Sequence, residues 1–316
     1  MLKKRILAAL SALIMAVGLL TAAAIPAAAE GYPLPEDTKL YAQAAILVNL
    51  TGEAEGDVVL YQKDADEVHA PGSMMRYAVL AYALQRIREE NMNIDKVTGK
   101  YTQDLFNNYV AGTGVPTANM NFGEKWTLRD LLAVSFMQSA SDTVAVLADA
   151  IDGSVTAFIE GMNEMAEEIG CEYTHFSNLT GLDSLGQYTT ARDMYRIMRY
   201  CQGFSEFEEI ASRYQVTVKP KSGGERTYVS NNSSFLDKCD ELISESRKNI
   251  LYRLRYYYFS HGGGKRHTNS PCSLKLSGID RINTASHDLG NICSAVKTEY
   301  EYARINVSHI NLKQGK

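Results

Sequence analysis

Apolar and polar positions change rhythm several times along this chain, and each change predicts an element. The plainest comes first. Ile6 to Ile25 is an apolar run of about 20 residues behind Lys3-Lys4-Arg5, and it ends in Pro26-Ala27-Ala28-Ala29. A basic start, an apolar stretch and a small-residue A-x-A site are the parts of a secretory signal peptide, so residues 1–29 are expected to be cleaved after Ala29. The run is also long enough to span a bilayer, which leaves an uncleaved N-terminal anchor as the alternative. Either way the body is expected on the periplasmic or extracellular side of the cell envelope, touching the membrane only through this segment.

Beyond it the periods alternate. Ala44 to Val48 and Val58 to Tyr61 predict two strands around a glycine-containing turn, Thr51 to Gly56. Apolar residues at Ala78, Leu80, Ala81, Leu84 and Ile87 predict a helix over 73–90, entered sharply through Pro71-Gly72. Thr127 with Asp130 forms a Thr-x-x-Asp capping pattern ahead of Leu131, Leu132 and Val134. Helices are also predicted over Asp142–Ile151, over Ser154–Ile169 with Gly170 as the stop, and over 190–200, opened by Thr190 and Asp193. Residues 214–218 and 226–229 predict a hairpin. Strands, then helices, then strands imply an α+β domain, with an antiparallel sheet closed by both chain ends against a helical cluster. After residue 240 the pattern dissolves, apart from one more candidate helix over 244–255.

Composition sharpens this division. The 316 residues carry a net charge of −5, but 1–29 carry +3, 30–250 carry −14 and 251–316 carry +6. The acidic body argues against a nucleic-acid binder, and 45% hydrophobic residues suffice for a large core. The chain therefore divides into a signal at 1–29, a catalytic-domain-like body at 30–250 and a divergent basic tail at 251–316. Five cysteines (171, 201, 239, 272 and 293) form no CxxC pair and predict isolated buried thiols rather than a disulfide framework. Sequons stand at Asn49 and Asn178. The body holds only His69 and His175, with no HExxH and no paired cysteines, so no metal or other cofactor is expected. Gly264-Lys265 lacks the glycine spacing of a phosphate loop.

Ser73 is the stronger candidate. It opens a helix behind Pro71-Gly72, where orphan amides and the positive helix end favour a developing anion. Arg76, three residues on, shares its helix face. A serine with a cation at i+3 is the geometry of an S-x-x-K acyl-serine site. Ser294 with Lys297 fits that pattern by chance alone. The plain alternative is that Ser73 merely caps its helix, and that Ser139 and Ser141 cap the one beginning near Asp142.

The blocks around Ser73 extend the pattern. Leu60 to Glu67, Ala70-Pro71-Gly72-Ser73-Met74-Met75-Arg76, Gly123 to Leu132, Gln138-Ser139-Ala140-Ser141-Asp142, Thr174 to Asn178, Gly181-Leu182 and Tyr188 to Met194 together resemble the serine-type D-alanyl-D-alanine carboxypeptidases, the low-molecular-weight penicillin-binding proteins. The resemblance covers about residues 40 to 235. It implies a β-lactamase-like fold with the site between sheet and helices, and attack by Ser73 on D-Ala-D-Ala in peptidoglycan stem peptides. It implies β-lactam antibiotics as acylating inhibitors, Arg76 at the position of the base, and Ser139 as the second-motif serine. Ser141 would contact substrate in place of the asparagine of S-x-N, and Lys265 would stand for the lysine of K-T-G.

Three of these residues depart from the family pattern. A guanidinium stays charged and cannot act as a base where the family has lysine. Ser141 is shorter than asparagine, and Arg266-His267 follow Lys265 where Thr-Gly is expected. A solvated basic loop is the plain alternative for Lys265. The tail itself has two readings, a reading-frame change near residues 240–265 or divergence. For function the alternative is a catalytically inactive relative that binds cell-wall peptide or a protein partner. The Thr190 to Met194 block favours a carboxypeptidase over a β-lactamase.

Overall fold

A computed structural model describes residues 44–49, 54, 57–211, 213–220 and 223–230. The signal segment, the candidate helix at 244–255, the basic tail and Lys265 lie outside them.

Two strands, β1 (Ala45–Asn49) and β2 (Val58–Lys63), pair antiparallel, with a register shift between Leu47 and Val48. A one-turn 3-10 helix, Gly72–Met74, leads into α1 (Met75–Glu89). Then come β3 (Thr98–Lys100), α2 (Gln103–Tyr109) and β4 (Lys125–Thr127). The helices α3 (Leu128–Gln138), α4 (Ser141–Asp152) and α5 (Val155–Glu168) follow in close succession. The remaining elements are α6 (Ala191–Cys201), α7 (Ser205–Ala211), β5 (Gln215–Val218) and β6 (Arg226–Val229). β3 pairs with β4 and β5 with β6, both antiparallel.

Helices and small antiparallel ladders make the expected α+β architecture. The single closed sheet is not formed among the described residues, where three separate two-stranded ladders stand instead.

α1 is the central helix because it is apolar nearly all round, as a buried helix must be. Its stretch from Tyr77 to Leu84 is buried without interruption, together with Met75 and Ile87. α3 and α4 pack beside it, burying Leu131, Leu132 and Val134 from one and Val144, Val146 and Leu147 from the other. α5 closes on α1 where Gly161 admits the Tyr82 ring. A Cβ at Gly161 would stand 1.9 Å from the Tyr82 hydroxyl, so only glycine permits this packing. Gly99 on β3 plays the same part against Val146.

The caps follow the sequence closely. Thr127, Ser154 and Thr190 each accept a hydrogen bond from the backbone N–H three residues on, at Asp130, Ala157 and Asp193. Such caps satisfy donors that the first turn leaves orphaned. β3, β4, α2 and α7 escape a periodicity reading because they are only three or seven residues long. Of the cysteines, Cys171 and Cys201 are described, and both are free thiols whose burial pushes the pKa up. The Asn178 amide is already used inside the fold, donating to Leu182 O and Ser184 Oγ.

Candidate active site

The site begins with a turn. Pro71 fixes an αR conformation and Gly72 follows at φ +53°, so the chain enters α1 through one tight 3-10 turn rather than a helix running from residue 73. Ser73 is exposed on that turn. Its hydroxyl makes no hydrogen bond to any described residue, and neither the 3-10 turn nor α1 has a side-chain cap. Ser73 therefore caps neither the 3-10 turn nor α1.

A loop holds the turn in place. Gly181, at φ +76°, lies against it so closely that a Cβ there would sit 2.0 Å from Gly72 O. The loop is fastened by two amides. Asn178 Oδ1 accepts from Thr180 N, Thr180 Oγ1 and Gly181 N, at 2.8–3.0 Å. Gln187 Oε1 accepts from Ser177 N and Asn178 N, while its Nε2 reaches Met75 Sδ at 3.8 Å. Asn178 and Gly181 stood in the family-resembling blocks of the sequence, but nothing local assigned either of them a part in holding the Ser73 turn.

Arg76 points from the first turn of α1 to the C-terminal end of α3. Its Nη1 donates to Phe136 O and to Ser139 Oγ, both at 3.3 Å. The guanidinium carbon lies 5.2 Å from the Phe136 ring centroid and 5.4 Å from that of Tyr77. A cation is favourable there because α3 presents unpaired carbonyls and the negative end of its dipole. Nε is buried without a hydrogen-bond partner among the described residues. A permanently charged residue thus stands one turn after Ser73, and it holds Ser139 as an acceptor.

Ser139 itself lies at φ 52°, ψ 38°, the left-handed C-cap of α3. A non-glycine residue there costs about 1–3 kcal/mol and persists only where surrounding contacts impose it. Those contacts are visible. Buried Asp142 accepts from Ala118 N (2.8 Å), Met120 N (3.1 Å) and Thr143 N (2.9 Å). Thr143 Oγ1 donates to Ala140 O at 2.8 Å and accepts from Ser135 Oγ at 2.9 Å. Ser141 is buried as the first residue of α4, and its N–H donates to Pro116 O at 2.8 Å. Ala140, not a serine, stands at the N-cap of α4, and it makes no side-chain cap. The capping alternative for Ser139 and Ser141 is thereby corrected: the turn is braced by Asp142 and Thr143, leaving both hydroxyls to other work.

The hairpin β5–β6 is tied to the same end of α3. Gln138 Nε2 donates to Val229 O, and Tyr228 Oη donates to Ala118 O at 2.8 Å. Arg226 bonds Glu124 and stacks over Trp126 at 5.1 Å. Burial would raise the Glu124 carboxyl, but hydrogen bonds from Arg226, Asn121 and Trp126 outweigh it and hold the pKa low. The structure thus unites Arg76 with Ser139, sets Ser73 one turn before Arg76, and places Ser141 two residues past Ser139. Lys265 lies outside the described residues.

The sequence profile of D-alanyl-D-alanine carboxypeptidases (Peptidase S11) matches residues 32–240. This chain belongs to that family. Among curated members, D-alanyl-D-alanine carboxypeptidase DacF of Bacillus subtilis is 25% identical over 224 residues, covering 71% of this chain and 55% of its own length. The D-alanyl-D-alanine carboxypeptidase of Streptomyces sp. strain K15 is 30% identical over 177 residues, covering 53% of this chain and 59% of its own. The chain thus spans little more than half the length of these two relatives. The crystal structure of the Streptomyces K15 DD-transpeptidase superposes with a TM-score of 0.54 at 26% identity, over 62% of this chain and 76% of that one. Penicillin-binding protein 5 of Haemophilus influenzae shares the fold, with a TM-score of 0.54 at 20% identity over 65% of this chain and 56% of its own. The carboxypeptidase family thus accounts for the helical cluster and for the Ser73 turn lying within the matched span.

Proposed function

We propose that this chain is a serine-type D-Ala-D-Ala carboxypeptidase of the cell envelope, exported by its N-terminal segment, with Ser73 as the nucleophile. The observation that carries this reading is the exposed Ser73 hydroxyl, without a hydrogen bond among the described residues, on a turn packed against Gly181 and leading into the buried helix α1. Ser73 Oγ attacks the carbonyl carbon of the D-Ala-D-Ala peptide bond. The C–N bond breaks, the terminal D-Ala leaves as an amine with the proton it takes up, and water then hydrolyses the Ser73 ester. Arg76 supplies a fixed positive charge to the developing anion, not a proton-accepting site. Ser139, held by Arg76, is the hydroxyl placed to relay a proton. Ser141 and Lys265 are assigned to the substrate, and β-lactams would acylate the same serine.

The test is covalent labelling with a fluorescent penicillin, read beside release of D-Ala from a D-Ala-D-Ala peptide. Labelling and release are expected in the parent and absent in Ser73→Ala. A Ser73→Ala protein that labels as well as the parent would overturn the assignment. A parent that neither labels nor releases D-Ala would overturn the enzymatic reading.

A further inference from the structure

The short turn that carries Ser73 does little to fix itself. Its own bonds are Met74 N to Pro71 O and the bond from Met75 N back to Gly72 O. Gly72, at φ +53°, has open space where a Cβ would stand, so its immediate surroundings do not set its conformation. What lies against the turn comes from far along the chain. Gly181 crowds Gly72 O just before the serine, and Gln187 Nε2 reaches Met75 Sδ at 3.8 Å just after it. Two residues past Gln187, Thr189 exchanges both backbone hydrogen bonds with His69 at 2.8 Å, on the approach to the same turn.

Gln187 links these contacts. Its side chain lies in a residue only 4% exposed, and a buried amide needs its donors and acceptor met. Oε1 accepts from Ser177 N at 2.7 Å and from Asn178 N at 3.2 Å. Nε2 donates to Asn178 Oδ1 at 3.4 Å as well as to the Met75 sulfur. Exchanging O and N would set the amino group against two N–H donors, so the network fixes the orientation. Asn178 Oδ1 accepts in turn from Gly181 N at 3.0 Å, which brings the glycine to Gly72 O. One buried amide thus stands behind both sides of the serine, directly at Met75 and through Asn178 at Gly72.

We propose that Gln187 is a positioning residue for Ser73. It holds the Gly181 loop against one side of the turn and Met75 against the other, so that the hydroxyl presents itself in a single orientation. Its side chain is buried and acts through the turn, not on the substrate. The proposal rests on the reading of Ser73 as the nucleophile. Misplacement of a reacting group by about 1 Å costs about 100-fold in rate, so a clamp of this kind acts on acylation more than on binding.

The test compares Gln187→Met with the parent as full chains, by two measurements. Amide hydrogen exchange over residues 72–75 should quicken about tenfold, the effect of roughly one lost hydrogen bond, while α2 keeps its rate. Fluorescent-penicillin labelling over a concentration series should show the limiting rate falling about 100-fold with little change in the half-saturating concentration. Gly181→Ala, whose Cβ would stand 2.0 Å from Gly72 O, should show the same split. Ser154→Ala removes a cap from α5 and should alter neither measurement, which separates positioning from general destabilisation. Circular dichroism reports whether each variant is folded, and if Gly181→Ala is not, Gln187→Met decides. Unchanged exchange over 72–75 in folded Gln187→Met overturns the proposal. So does faster exchange with an unchanged limiting rate, or a defect confined to the half-saturating concentration. A parent that never labels overturns the Ser73 reading instead, and the exchange rates then decide the clamp without it.

Discussion

At Asp193 every acceptor is used. Its buried carboxylate takes Glu172 N, Tyr173 N and Thr174 Oγ1 at 2.7–3.2 Å and Arg196 Nη1 at 2.6 Å, while its own N–H caps on Thr190. Nearby, Arg192 grips Asp66 through two nitrogens at 2.6 and 2.9 Å, and that hydrogen bond holds the Asp66 carboxyl below its usual range. At Ser73 the opposite holds. Among the described residues the hydroxyl has no hydrogen bond, Arg76 spends one nitrogen on two long bonds, and its Nε has no partner. Both regions sit at the head of a helix, α6 in one case and α1 in the other. The difference teaches where this fold places its framework and where it leaves capacity unspent. A saturated network fixes geometry, whereas a site that must bind something keeps donors and acceptors in hand.

Substitutions can break this contrast. Asp193→Ala removes one partner from a buried charge network and strands three backbone or hydroxyl donors. It should cost about 3–5 kcal/mol, read as a lower urea midpoint with little change in slope. Unchanged stability would mean the saturated network is not the framework described here. Arg76→Lys works at the other pole. A lysine becomes a base once it loses its proton, so Ser73 acylation should rise about 100-fold, the lower end of general-base effects. The gain should grow as pH climbs toward the lysine pKa, since only the neutral amine accepts a proton; the parent guanidinium should give no such limb. Fluorescent-penicillin labelling across a pH series measures both. Equal rates in parent and variant would show that residue 76 does not limit proton removal. The smallest expected effect is Thr190→Ala, the loss of one cap, at about 1 kcal/mol and with penicillin labelling unaltered. A labelling defect in that variant would couple the two regions.

Much of the helical layer was legible along the chain. Thr127, Ser154 and Thr190 marked helix starts because a threonine or serine ahead of an apolar face has a local job, accepting an N–H three residues on. The spacing of Ala78, Leu80, Ala81, Leu84 and Ile87 announced a helix, and the fold buries it without interruption from Tyr77 to Leu84. The candidate site was legible in its residue types, Ser73, Arg76 and Ser139, and in their order. Their contacts were not. Arg76 and Ser139 are separated by 63 positions and meet because α1 packs beside α3. The Ser73 turn was read as part of the helix, because nothing local reveals that Gly181 crowds Gly72 O. Asp142 was visible in the resemblance, but its hold on Ala118 and Met120 needed the fold.

By itself the sequence determined several helix starts, the family and the chemical character of the candidate nucleophile. It did so because capping, periodicity and a serine-cation spacing act within a few residues of each other. The tertiary structure decided which groups meet. Ser73, Arg76 and Ser139 are ordinary residues in the string. Their arrangement exists only after packing sets α1 beside α3 and brings Gly181 against Gly72 O.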